Sequence, residues 1–207
     1  MRYLRPLLVP AVASILSFAF SPAASAALPE GVTETSFVTA GGERVLELSC
    51  EVPADAAEVW DAWTSAAGFT AWAAPFAHVD FRVGGAIESS YDPKAKPGDP
   101  GNIRNEFLAL VPQRLFVIRN VQAPPKTPFD AATFAKTTTA VVLTPLGAKR
   151  TRVTVTNSGY GSGEPWDGVY AFFQQGNAWT LAQLRKRFES GPTDWQKVFA
   201  PQTAPKK

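Results

Sequence analysis

The 207 residues are 45% hydrophobic and 18% charged, values of a globular chain and not of a disordered tail protein or a collagen-like fibre. A single cysteine excludes an internal disulfide framework, and a single histidine excludes a metal site built on two imidazoles. The formal charge is +2, from 20 basic and 18 acidic side chains.

Arg2 and Arg5 precede an apolar run from Leu7 to Phe20, and small residues follow to Ala24-Ser25-Ala26. This order has the form of a secretory signal, with cleavage expected after Ala26 and a periplasmic or secreted mature protein. An uncleaved anchor is the alternative, but the run is short for a bilayer core, which takes about 20 apolar residues, and Pro10 interrupts it. No second long apolar segment follows, so no membrane span is expected after cleavage. Removing residues 1–26 takes away two arginines and no acid, leaving 18 basic against 18 acidic side chains. A neutral chain without a basic stripe is a poor nucleic-acid binder, since that affinity comes largely from neutralising phosphates.

Beyond the signal, the absence of repeats and of long linkers points to one domain over residues 33–192, followed by a tail over 193–207 expected to be disordered, although Trp195 and Phe199 offer apolar groups for docking. Leu46, Leu48, Cys50 and Val52 alternate with polar residues, the period of a half-buried strand. Cys50 is accordingly expected to be buried as a small hydrophobe. After Pro53, the stretch from Ala54 to Thr64 places Ala57, Val59, Trp60 and Trp63 at helical spacing, with Asp55 as cap, and a short second helix is expected over Ala66 to Trp72. Glycine and proline then punctuate six short segments that read as antiparallel strands near His78–Val83, Ala86–Asp92, Ile103–Val111, Leu115–Gln122, Thr137–Leu143 and Lys149–Thr156. Their connections are too short for parallel crossovers.

Pro165 opens a helix of about 25 residues, roughly 38 Å long, whose Trp166, Val169, Tyr170, Phe173, Leu181, Leu184 and Phe188 recur at steps of three and four. Such a stripe must be buried, and the sheet is the element long enough to bury it. The expected class is therefore α+β, with a curved antiparallel sheet of about seven strands against a long C-terminal helix.

The order of these elements, with Val59-Trp60-Asp61-Ala62-Trp63-Thr64, Trp72-Ala73-Ala74-Pro75 and Val79-Asp80-Phe81-Arg82-Val83-Gly84-Gly85 near the start and Thr151-Arg152-Val153-Thr154, Gly159-Tyr160 and Trp166 near the end, resembles the START-like or SRPBCC superfamily. More narrowly, it resembles the branch related to the activator of the heat-shock ATPase. The resemblance implies a helix-grip fold with a cavity between sheet and helix. It does not imply one chemistry, because the superfamily includes lipid carriers, cyclases and co-chaperones. The export signal departs from that branch, whose members are mostly cytosolic, and it argues against an ATP-driven chaperone partner.

Candidate chemistry is sparse. His78 shares an alternating face with Asp80 and Arg82, which reads either as a base with an orienting carboxylate or as a solvent-facing sheet surface with Val79, Phe81 and Val83 turned inward. The loop Gly159-Tyr160-Gly161-Ser162-Gly163-Glu164 lacks the third glycine of a dinucleotide turn and the lysine of a nucleoside-triphosphate loop. It reads as a strand-to-helix connection, and no cofactor or metal is expected. Aromatic residues make up 12% of the chain. Trp63, Trp72, Phe76, Phe81, Phe107, Trp166, Tyr170 and Phe173 are candidates to line the cavity or to fill the core. Asn105, Asn157 and Asn177 fall on inward faces and are candidates for its polar groups.

The expected function is binding of a small apolar or aromatic molecule between sheet and helix. One alternative is a cyclase, aromatase or hydratase type of enzyme using His78, Tyr170 or Glu106 for proton transfer. A second is a protein-interaction or stress-related, co-chaperone-like module.

Overall fold

The computed structural model describes residues 27–123, 127 and 129–199. The expected signal over residues 1–26 lies outside them. The described chain begins with β1 (Val32–Glu34) and β2 (Phe37–Val38), both hydrogen-bonded to the long strand β3 (Arg44–Val52). Alternation along β3 buries Leu46, Leu48, Cys50 and Val52 on one face. Burial pushes the Cys50 thiol up to about 12, as expected of a small apolar side chain that packs and does not react.

Asp55 caps α1 (Ala56–Thr64) in a reciprocal box: its carboxylate accepts from the Glu58 N–H, and the Glu58 carboxylate accepts from the Asp55 N–H. Ser65 ends α1 and caps α2 (Ala66–Thr70), its hydroxyl accepting from Gly68. The chain then forms β4 (Phe76–Val79), β5 (Ala86–Ser90), β6 (Ile103–Val111) and β7 (Leu115–Gln122), the short helix α3 (Ala131–Phe134), β8 (Thr138–Pro145), β9 (Thr151–Ser158), α4 (Trp166–Ser190) and α5 (Trp195–Phe199).

The strands form one antiparallel, curved sheet in the order β1-β3-β9-β8-β7-β6-β5-β4, with β2 as a side partner of β3. The class is α+β, as the element order implies, with nine strands among the described residues against an expectation of about seven. The two additional strands are β1 and β2, too short to show a period in sequence. Helix α4 crosses the concave face against β3, β1 and β9, while α1 packs on β8 and α3 on β7. Val169, Leu181 and Leu184 are fully buried in that contact. No described helix is long and apolar enough to cross a membrane.

Two expectations need correction. The strand expected over His78–Val83 stops at Val79, because Asp80–Gly85 turns tightly: the Arg82 N–H bonds the Asp80 carbonyl, and the Gly85 N–H bonds that of Arg82. Phe81 and Val83 are therefore 36% and 60% exposed instead of turned inward. The disorder expected over 193–207 does not hold for its first residues. The Thr193 N–H bonds the Ala71 carbonyl, and the Trp195 indole N–H donates to the Thr70 carbonyl at 2.6 Å, seating α5 beside α2. Residues 200–207 lie outside the described chain.

Candidate functional site: a cavity between sheet and helix

A cavity of about 440 Å³ opens between the concave face of the sheet and the middle of α4, from Phe172 to Thr180. The α1–α2 corner supplies Trp63, Phe69, Ala73 and Ala74, while the helix supplies Phe172, Phe173, Gly176, Asn177, Trp179 and Thr180. The floor comes from β5 to β9, including Ser89, Asn105, Asn120, Thr139, Val141 and Val155, with Phe134 of α3 at one side. Phe134 stacks on Phe173, with rings 5.5 Å apart and nearly parallel. Tyr91 and Trp179 line the cavity yet are 49% and 41% exposed, which places them at its mouth. They meet edge to face at 6.2 Å, one ring from the end of β5 and the other from α4.

The cavity stays open opposite Gly176 because a glycine occupies mid-helix there. A Cβ added at this position meets nothing within 4 Å. None of the lining residues is Asp, Glu, Lys, Arg or His. Partial burial raises the Tyr91 phenol above its usual range, so this lining group is neutral at physiological pH.

Across this apolar wall runs a band of carboxamides and hydroxyls. Asn105 and Asn120 are register partners on β6 and β7, and Thr139 and Asn157 are partners on β8 and β9. Asn120 donates to the Thr137 hydroxyl at 2.7 Å. Asn157 is fully buried, donates to the Thr139 hydroxyl at 2.6 Å and accepts from Asn177 of the helix. The band therefore ties the sheet to α4. Two polar atoms of the lining residues, Asn105 Oδ1 and Trp63 Nε1, are buried without any hydrogen-bond partner.

Of the residues singled out in the sequence, the structure brings Trp63, Asn105, Phe173 and Asn177 to the cavity wall. Asn157 lies behind it, holding Asn177. Trp72 belongs to the solid core, fully buried with its indole N–H on the Ala62 carbonyl. Phe107 shares the face of Asn105 but lies further along β6, buried in the core, where Phe81 and Phe116 meet it edge to face and Trp60 packs on both of those rings in turn. Phe81 belongs to that aromatic cluster, and Phe76, half-buried opposite Ser90, does not reach the cavity. Trp166 lies at the start of α4 under the Lys136 ammonium. Tyr170 packs at 5.1 Å on Tyr160, with the Arg44 guanidinium over its ring. Both lie beyond the cavity end of the helix.

The proton-transfer candidates do not converge on the cavity either. His78 is exposed, Glu106 is ion-paired with Arg119, and Tyr170 lies outside the lining. Among the described residues, no group of three or more His, Cys, Asp or Glu side chains is placed to hold a metal ion. Sequence reasoning missed Gly176, Asn120, Phe134, Tyr91 and Trp179. A glycine in the middle of an otherwise well-formed helix was the available signal for the first.

The family described as Activator of Hsp90 ATPase homolog 1-like protein matches residues 53–189, the span from the end of β3 to the last turn of α4. The chain belongs to that family. Among solved structures, the Aha1 dimer from Colwellia psychrerythraea superposes with a TM-score of 0.55 at 17% identity, covering 71% of this chain and 97% of that one. Protein MLL2253 from Mesorhizobium loti superposes at 0.56 and 17% identity, over 72% and 100% of the two chains. CalU16 from Micromonospora echinospora superposes at 0.51 and 17% identity, over 81% and 88%. At such identities the likeness is one of fold, the START-like helix grip. No curated protein matches the chain in sequence.

Proposed function

We propose that this Activator of Hsp90 ATPase homolog 1-like domain acts by holding a small apolar or aromatic molecule in the cavity under α4, and that it does so as an exported protein. The cavity itself carries this reading: about 440 Å³ of space walled by seven aromatic side chains and aliphatic groups, with the partly exposed Tyr91 and Trp179 at its rim. Small-molecule sites run from about 300 to 1,000 Å³ and are mostly apolar with a few placed polar groups. Export is supported by the arginine, apolar and small-residue order of residues 1–26.

The family's co-chaperone association supports a second role, protein interaction, but the described surface offers no feature that selects a partner. The enzyme alternative loses its footing, since none of His78, Tyr170 and Glu106 lines the cavity.

Gly176 supplies the test. Replacing it by phenylalanine projects a ring into open space within the cavity and removes a helix-interior glycine, which costs about 1 kcal/mol relative to alanine. The Gly176→Phe protein is expected to fold at least as stably as the parent. In native mass spectrometry of protein purified from its own cell envelope, the parent is expected to carry an additional small-molecule mass that the variant lacks. A parent that is consistently empty, or a variant that retains the same mass, overturns the reading.

A further inference from the structure

The chemistry of the wall narrows the ligand. We infer that it is an uncharged aromatic molecule carrying one hydrogen-bonding group, and that Asn105 reads that group. This inference rests on the cavity being a ligand site.

The first half follows from the lining. It contains no ionised side chain, and a charge buried there without a counter-charge or hydrogen bonds costs far more than the apolar contacts return. A carboxylate or ammonium is therefore excluded from the interior. Trp63, Phe69, Phe134, Phe172 and Phe173 present rings on several sides, which favour a flat guest by edge and face contact.

The second half follows from the hydrogen bonds of the band. Asn120 is held by Thr137, and Asn177 is held by Asn157. Asn105 is the lining carboxamide whose oxygen is left buried and unpaired, and on the α1 side the Trp63 indole N–H is likewise unpaired. Buried polar atoms without partners are uncommon, and each calls for an explanation. The Asn105 oxygen is an acceptor, so it calls for a guest donor such as a hydroxyl. Strand register fixes Asn105 in place, opposite Ile87 on one side and Asn120 on the other.

Three probes of one size separate the terms in equilibrium dialysis: 2-naphthol, 2-methylnaphthalene and 2-naphthoate. Hydrophobic partition alone favours the hydrocarbon over the naphthol. The inference expects the reverse, with 2-naphthol bound about tenfold more tightly than 2-methylnaphthalene, the scale of one well-placed hydrogen bond. 2-Naphthoate is expected to bind at least about a hundredfold more weakly than 2-naphthol. In Asn105→Leu the naphthol preference is expected to vanish while 2-methylnaphthalene binding persists, which also shows that the variant is folded. If the parent binds 2-methylnaphthalene as well as 2-naphthol, the role of Asn105 fails and the cavity reading stands. If 2-naphthoate binds as tightly as 2-naphthol, the uncharged class fails. If none of the three binds, the cavity reading fails and takes this inference with it.

Discussion

Asn157 is fully buried and uses both ends of its carboxamide, donating to Thr139 within the sheet and accepting from Asn177 on α4. Truncation to alanine leaves the Asn177 donor and the Thr139 hydroxyl unpaired. A buried polar group without its partner costs about 1 to 3 kcal/mol, so Asn157→Ala is expected to lower the unfolding free energy by that amount in urea titration. Retention of parental stability would show that water replaces the amide. Alternation along the strands marked Asn105 and Asn157 as inward-facing, and the helix stripe marked Asn177; in the structure Asn105 and Asn177 line the cavity and Asn157 holds Asn177 from behind. Alternation could not separate Asn105 from Phe107, because two residues on the same face of a strand differ only in how far along it they lie. The cavity lining includes the first and not the second, which Phe81 and Phe116 cover edge to face. Such a boundary is set by side chains far apart in the chain, and no local pattern carries it.

At the scale of elements, the long periodic segments were the legible ones. The bounds expected for Ile103–Val111 and Leu115–Gln122 agree with β6 and β7, and the long helix expected from Pro165 is α4. The short pieces were not: β1, β2, α3 and α5 span two to five residues and are held by contacts with distant parts of the chain. Helix α1 shows what local chemistry can specify. Asp55 caps its first turn and is bridged by Lys149 from the turn before β9. Its carboxyl is held below the ordinary range, first by the Glu58 backbone N–H and then by Lys149. Because the folded value lies below the unfolded one, the stabilisation is fully present above the ordinary carboxylate range and is lost as pH falls through the folded value. Asp55→Ala is accordingly expected to lower the thermal midpoint at neutral pH. The gap between variant and parent should close in acid, as followed by circular dichroism. A gap of constant size across that range would remove the charged cap as its cause.

On the scale of the whole molecule, sheet and helix make contact in two unlike ways. Toward its C-terminal half, α4 is sealed against β3 and its neighbours by Leu181 and Leu184, both fully buried. From Phe172 to Thr180 the same helix roofs the cavity, linked to the sheet by the Asn177–Asn157 contact and walled by Phe172 and Phe173, while Val169 in its first turn is again fully buried. The packing of a long helix on an antiparallel sheet was legible from element order, and the helix grip from the resemblance that this order carries. The division of one helix into sealed ends and a roofing middle was not, since the same spacing of apolar residues runs through all of it.

The edge-to-face pair of Tyr91 and Trp179 joins the two sides of the opening. Under the proposed binding role, a guest passes these two rings on its way to solvent, which makes residence time a property distinct from affinity. Such a pair contributes about 0.5 to 1.5 kcal/mol, enough to slow escape by up to about tenfold. Trp179→Ala should therefore speed both entry and escape of 2-naphthol in stopped-flow traces while leaving the equilibrium constant nearly unchanged. A matching loss of affinity would instead make the indole part of the seat. Under the proposed role, the rim of the cavity would thus set how long a guest is held, separately from how tightly.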